Sequence, residues 1–304
     1  ARPDAPRTPA PPLTSDPPDH QDHRRLLLPA FSPTNLARLE GDLRDYCRKL
    51  IADLDGLDAV DAAETFSQHI PVHGICQLTG IPEGDADLFR DWIYRNFQLA
   101  PRDNKVRVEV MTEMASYIDA ILKDRLANPA DDMLTEIANA EIDGEPVDWE
   151  LKIGYVRLLI IAGIDTTWSA IGSGLWHFAQ HPDQRAALVA ADDDDLLWNT
   201  AMEEVLRFYA PVTMARLVAK DNDFHGCPMK KDDWVLLPFP AANRDPRAFE
   251  DADQFIIDRE SNRHAAFGLG IHRCLGSNLA RLELKVAIEE FIARFPNRGA
   301  TRPV

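Results

Sequence analysis

Along most of the chain, apolar residues recur every three or four positions, and that period predicts helices. Across residues 33–55 the row is Leu36, Leu39, Leu43, Tyr46 and Leu50, with charged residues on the opposite side. Residues 59–80 predict one or two further helices, broken at His69-Ile70-Pro71-Val72, and Gly80-Ile81-Pro82 reads as a turn. Leu88, Phe89, Trp92, Ile93, Phe97 and Leu99 mark a helix within residues 85–99. A long amphipathic helix follows over 105–127 and stops at Asn128-Pro129. A short helix over 131–140 and a turn at Asp143-Gly144 come next. Helices are also predicted over 196–209 and 274–295.

The most apolar stretch lies within 147–180. Residues 158–164 are apolar, and Asp165-Thr166-Thr167 then interrupts them; Asp165 is the only formally charged residue between Leu158 and Gln180. A membrane span needs about 20 largely apolar residues, and an acid with neighbouring hydroxyls fits a helix through a large core better. His181-Pro182 ends it. Strand signals are few. Residues 210–216 read as extended, and 222–239 as a hairpin that turns at Phe224-His225-Gly226 and returns through Trp234-Val235-Leu236-Leu237. Residues 242–246 read as a loop, and the acidic run 192–195 as a solvated loop and helix cap. Residues 1–18 hold seven prolines, so 1–13 are expected to be extended or disordered. A helix should begin near residue 16, capped by Ser15 or Asp16, with prolines in its first turn.

Composition narrows the class. The chain has 304 residues, 45% hydrophobic and 27% charged, enough apolar material for a large core. We read it as one domain over 1–304. A net charge of -17 argues against nucleic acid, since phosphate binding needs a basic surface. Cys47, Cys76, Cys227 and Cys274 are scattered and suggest no disulfide framework, so a reducing cytoplasm is expected. The first 25 residues contain no apolar signal-peptide core, and no membrane partner is expected.

The strongest chemical signal is Phe-Gly-Leu-Gly-Ile-His-Arg-Cys-Leu-Gly at 267–276. Cys274 sits in a glycine-rich loop just before a helix-forming run. Unpaired N–H groups and the positive end of a helix dipole favour thiolate over thiol. Gly268 and Gly270 permit backbone angles that a side chain would forbid. Gly276 would let a flat ligand approach the helix start, and His272 and Arg273 add donors or positive charge. That combination suits a thiolate held against a large planar metal cofactor. The plainer alternatives are a structural cysteine in a turn, or a zinc site using His264, His272 and Cys274; no Cys-x-x-Cys occurs to support zinc.

The pattern Phe267-Gly268-x-Gly270-x-His272-x-Cys274-x-Gly276, extended by Leu279-Ala280-Arg281, resembles the haem-binding loop of the cytochrome P450 monooxygenases. The resemblance implies a mainly α-helical haem-thiolate fold with minor β hairpins. It implies haem b with Cys274 as iron ligand, and dioxygen as co-substrate. Ala162-Gly163-Ile164-Asp165-Thr166-Thr167 resembles the family's oxygen-binding motif, which makes Thr166 and Asp165 the pair that steadies oxygen and relays protons. Gly163 would leave room for a ligand. A capped kink in a structural helix is the alternative. His20 and Arg24, four apart on one helical face, resemble the family's propionate-binding pair, although alone they read as a solvated basic face. By resemblance Arg216 binds a propionate, Thr213 and Met214 face the substrate, and Glu204 with Arg207 forms a buried structural pair. Its usual third partner, an Arg or His before a Phe, aligns with Gln254, a departure that leaves the network weaker or turns it to Asn243 or Arg244.

In the family the helix bearing His20 lies about a quarter of the way along, after a small β-rich region, and the chain continues beyond Phe295-Pro296. The sequence therefore reads as a bacterial P450 lacking parts at both ends. The implied activity is insertion of one oxygen atom into a hydrophobic small molecule by hydroxylation, epoxidation or dealkylation. Electrons would come from NAD(P)H through a ferredoxin and reductase. A fused flavin and iron–sulfur reductase is the other source, suggested by similarity to the haem domains of self-sufficient members. The alternative is a haem-binding fragment without turnover.

Overall fold

A computed structural model describes residues 8–191 and 195–300; positions 1–7 of the proline-rich start and 192–194 of the acidic run lie outside the described residues. The helices are α1 Asp19–Leu27, α2 Pro33–Leu36, α3 Glu40–Ala52, α4 His69–Thr79, α5 Ala86–Tyr94, α6 Asn104–Ala127, α7 Met133–Ala138, α8 Trp149–Gln180, α9 Pro182–Ala191, α10 Asp195–Phe208, α11 Phe239–Ala242 and α12 Ser277–Arg294. The strands are β1 Glu141–Ile142, β2 Glu145–Pro146, β3 Thr213–Leu217, β4 Asn222–Phe224, β5 Cys227–Met229 and β6 Trp234–Pro238. Two compact units emerge. The first comprises residues up to Gly172 with Leu275–Phe295; the second comprises Ser173–Cys274 with residues from Pro296 on. The boundary falls within α8.

In the first unit, α12 packs on α3 and α4. Val110, Met114, Ile118 and Leu122 of α6, four apart, are wholly buried, as are Val156, Ile160 and Ile164 of α8. On α3 the buried row is Leu43, Cys47 and Ile51, one residue on from the predicted Tyr46 and Leu50. From Leu43 onward the buried spacing within α3 is four rather than three, which leaves Tyr46 and Leu50 half-buried at the edge of the same face. Arg44 ties α3 to α12 by donating to Glu289 at 2.7 Å and Glu290 at 3.1 Å.

Helices α6 and α7 start on side-chain caps. Asp103 accepts from Lys105 N at 2.8 Å and Asp132 from Thr135 N at 2.8 Å. The helix expected from residue 16 begins instead at Asp19, with Pro18 at its N-cap position and no side-chain cap. A residue preceding proline is pushed out of the helical region, and Pro17 and Pro18 place that restriction on Asp16 and Pro17. Residues 11–14 form a turn. Pro9 packs against α8, where its carbonyl accepts from Arg157 at 2.5 Å.

The strand pairing differs from the predicted hairpin. β4 and β5 turn tightly through His225 and Gly226, both at positive φ, but β6 pairs antiparallel with β3, from Thr213 opposite Pro238 to Leu217 opposite Trp234. Local turn chemistry specifies the tight hairpin. The return of β6 to a strand twenty residues upstream is a long-range pairing that no local signal carries.

Helix α8 has the length and composition to cross a bilayer, yet Lys152, Tyr155, Arg157 and Thr167 are buried along it, as on a core helix. Beside it, Glu283 of α12 is 1% exposed. Thr167 hydrogen-bonds its carboxyl, and a Cβ on Gly74 of α4 would lie 1.9 Å from Oε1. Only glycine lets α4 come so close. Burial pushes the Glu283 carboxyl well above the usual range, against the opposing pull of the Thr167 bond. The folded protein therefore holds a proton there that the unfolded chain releases above about pH 4.5, so stability falls as pH rises past that point. Glu283→Gln should flatten this dependence in denaturant unfolding measured from acid to alkaline pH; equal slopes in parent and variant would mean that Glu283 is ionised in the fold.

Candidate functional site

In the second unit, the loop ending at Cys274 is closed by Cys274 N donating to the Phe267 carbonyl at 2.8 Å. Inside it, Gly268 N donates to Ala265 O at 2.8 Å and Arg273 N to Gly270 O at 3.1 Å. Gly268 and Gly270 have φ of 67° and 70°, left-handed angles that a side chain would strain. The ring of Phe239 lies 3.5 Å from where a Gly268 Cβ would stand. Cys274 is exposed, Phe267 half-buried, and His272 half-buried at the end of a 3₁₀ turn. Burial pushes the Cys47 and Cys76 thiols up to about 12, which leaves both unreactive. Arg216 lies on β3 and donates to the Ala215 carbonyl at 2.9 Å, with Met214 half-buried and Thr213 exposed on the same strand.

Behind this loop lies a buried charge cluster. Glu204 and Arg207 are both wholly buried and paired through Nη2 to Oε1 at 2.7 Å and Nε to Oε2 at 2.8 Å. Arg259 donates to Glu204 Oε2 at 3.1 Å, Asn262 to the same oxygen at 3.0 Å, and Ile256 N to Oε1 at 2.8 Å. Burial alone would raise the Glu204 pKa. The bonds from Arg207 and Ile256, with the charges of Arg207 and Arg259, overcome that and hold it below the usual range. Arg207 also donates to the carbonyls of Asn243 at 2.8 Å, Ala252 at 2.7 Å and Gln254 at 2.7 Å. The Asn243 side chain then accepts from Ala265 N at 2.7 Å, which ties the cluster to the start of the cysteine loop. Arg244 stays apart, stacked 3.3 Å over Phe208.

In the first unit, the Thr166 hydroxyl donates to the Ala162 carbonyl at 2.8 Å. Helix α8 runs without interruption across this point. Asp165 is half-buried, and burial raises its pKa. Ala162 is exposed. A Cβ on Gly163 would lie 2.5 Å from Ile75 Cδ1, so this glycine lets α8 and α4 approach; its open side faces Ile75 rather than space for a ligand. On α1, His20 is buried and Arg24 half-buried. Gly276 precedes α12, and a Cβ there would stand 3.6 Å from Phe31, an ordinary contact. Among the described residues, no group of three His, Cys, Asp or Glu side chains could hold a metal ion; His264 faces Glu203 at 3.1 Å.

The cytochrome P450 family model matches residues 196–298. The polyketide-biosynthesis cytochrome P450 PksS of Bacillus subtilis is 31% identical over 94% of this chain and 70% of its own length. The vitamin D(3) 25-hydroxylase of Pseudonocardia autotrophica is 36% identical over 97% of this chain and 73% of its own. A solved structure of a mutant of P450 EryK with erythromycin B superposes with a TM-score of 0.86 at 32% identity, over 95% of this chain and 75% of that one. This chain belongs to the cytochrome P450 family. The P450 fold and a haem-thiolate monooxygenase activity using haem b, dioxygen and NAD(P)H-derived electrons come with that membership.

The donor set fits haem. An exposed sulfur stands in a loop kept open by left-handed glycines, and Arg and His side chains suit carboxylates. Two members of the P450's buried cluster, Arg259 and Asn262, escape a reading of the sequence. The family's third basic partner stands before a Phe, where this chain has Gln254. Arg259, five residues later, supplies the guanidinium, while Gln254 contributes only its backbone carbonyl. A spare arginine shortly after an empty motif position was the available signal. Arg259→Ala removes one partner of a buried carboxylate and should cost about 3 kcal/mol. Urea denaturation checks this. A loss under about 1 kcal/mol, the range of exposed pairs, would show that Arg207 alone satisfies Glu204.

Proposed function

We propose that this P450 hydroxylates, epoxidises or dealkylates a bulky hydrophobic small molecule, as a single haem domain over 1–304 in the bacterial cytoplasm. The observation that carries this is the loop at Cys274, closed by its bond to Phe267 and held open by two left-handed glycines. The Cys274 thiolate would ligate the iron, framed by Phe267, Gly268, Gly270 and Gly276. Arg216, His272, His20 and Arg24 would bind the propionates. Haem bound to a thiolate activates dioxygen so that one oxygen atom enters the substrate and the other leaves as water.

The chain's own residues would manage protons and position. Asp165, with its pKa raised by burial, is a better proton donor near neutral pH than an ordinary aspartate. Thr166, whose hydroxyl donates to Ala162 O, keeps lone pairs with which to accept a proton or a water. Ala162, exposed one position before Gly163, would line the oxygen side, and Thr213 and Met214 would touch the substrate. The names of the relatives, which cite a polyketide pathway, vitamin D(3) and erythromycin B, support a large, mostly apolar substrate. Electrons would arrive from a ferredoxin and its reductase, or from a fused flavin and iron–sulfur reductase.

Cys274→Ala should abolish the strongly red-shifted Soret band of the reduced carbon monoxide complex, and its retention would remove Cys274 as ligand. Thr166→Ala should keep that band but raise peroxide release per electron consumed; unchanged coupling would remove Thr166 from proton handling. A parent chain that shows the band but forms no product with donor proteins would be a haem binder without turnover.

A further inference from the structure

Helix α1 lacks what normally orients a helix. Its first seven residues, 19–25, include no apolar side chain, and only Leu26 and Leu27 at its end are hydrophobic. Even so, His20 is 4% and His23 8% exposed, almost as deeply buried as Leu27 at 1%. With only Leu26 and Leu27 apolar, at its end, the hydrophobic preference of α1 for one rotation about its axis is weak. A directional bond sharpens that preference.

The bond present joins the Tyr155 hydroxyl on α8 and His23 Nδ1. The two rings meet edge-on, with centroids 5.7 Å apart and planes at 62°. Tyr155 is wholly buried, so its hydroxyl would be costly without a partner. Burial raises the Tyr155 pKa, which keeps it protonated. Burial also lowers that of His23, against the pull of Asp19 and Asp22, which keeps its ring neutral. With both groups uncharged, one hydrogen bond joins them, and the tautomer of His23 sets which of the two donates.

We infer that the His23–Tyr155 bond is a positioning lock that sets the rotation of α1 on α8 and thereby aims His20 and Arg24. It rests on the propionate-binding role proposed for those two residues. Arg24 follows His23 directly and His20 precedes it by less than one turn. A side-chain end roughly 6 Å from a helix axis moves by about 2 Å when the helix turns by 20°, enough to break a hydrogen bond. Neither partner lies in the Cys274 loop or in the Asp165-Thr166 pair.

The test measures haem transfer from the loaded protein to apomyoglobin, together with the urea midpoint of the haem-free chain. His20→Ala and Arg24→Ala serve as site controls. Tyr155→Phe and the double variant His23→Leu/Tyr155→Phe should release haem about tenfold faster. In the double variant both polar partners become apolar, a change that can be nearly neutral for stability, so its urea midpoint should match the parent's. His23→Gln, whose side-chain oxygen can still accept from Tyr155, should restore slow release. Unchanged release from the Tyr155 variants beside fast release from Arg24→Ala would overturn the lock and leave the site reading intact. Fast release matched by an equal fall in urea midpoint would also overturn it, since the pair would then be only structural. Unchanged release from both site controls would overturn the propionate reading itself, and the lock with it.

Discussion

The second unit depends on one buried carboxylate. Glu204 is wholly enclosed, a position that would be prohibitive for an isolated charge. Two guanidiniums, an asparagine amide and a backbone N–H converge on its two oxygens, and with that company the ionised form is favoured. The same Arg207 collects three backbone carbonyls, from Asn243, Ala252 and Gln254. An otherwise irregular stretch is thus pinned at several points to one helix. Irregular backbone needs such partners, because it has no ladder of its own to satisfy its polar groups. The chain of bonds ends at Asn243 and Ala265, just before the loop that carries Cys274. A reactive sulfur on a loop is as well placed as the loop is rigid, and here the rigidity begins at Glu204.

Glu283 is the opposite case within the same protein. It is as deeply buried, yet among the described residues no guanidinium pairs with it and its Oε1 has no hydrogen-bond partner. Environment alone makes one carboxyl a fixed charge and the other a neutral acid. Asp165 lies between the two: half-buried and shifted upward by desolvation.

The helix α8 organises the first unit in a similar way, by contact rather than charge. Gly154 meets the Pro9 carbonyl, Tyr155 meets His23, and Gly163 meets Ile75. Within ten residues one helix fixes the proline-rich segment, α1 and α4. The residues proposed for oxygen chemistry, Asp165 and Thr166, follow directly on the same rod, so errors in their placement are small wherever those contacts are tight.

The sequence by itself determined the chemistry and most of the helices. A cysteine shortly after two left-handed glycines, an acid and an alcohol in an apolar helix, and a three- to four-residue apolar period are local signals. Each acts through backbone angles, dipole and burial that neighbouring residues already imply. The tertiary structure alone decided which partner each group found. Arg259 rather than Gln254 completes the Glu204 cluster, β6 returns to β3 rather than to β5, and Gly163 faces Ile75. His23 finds Tyr155 across 132 positions of sequence. These are contacts between distant segments, set by how whole elements pack, and a one-dimensional pattern carries propensity for an element without the identity of what lies across from it.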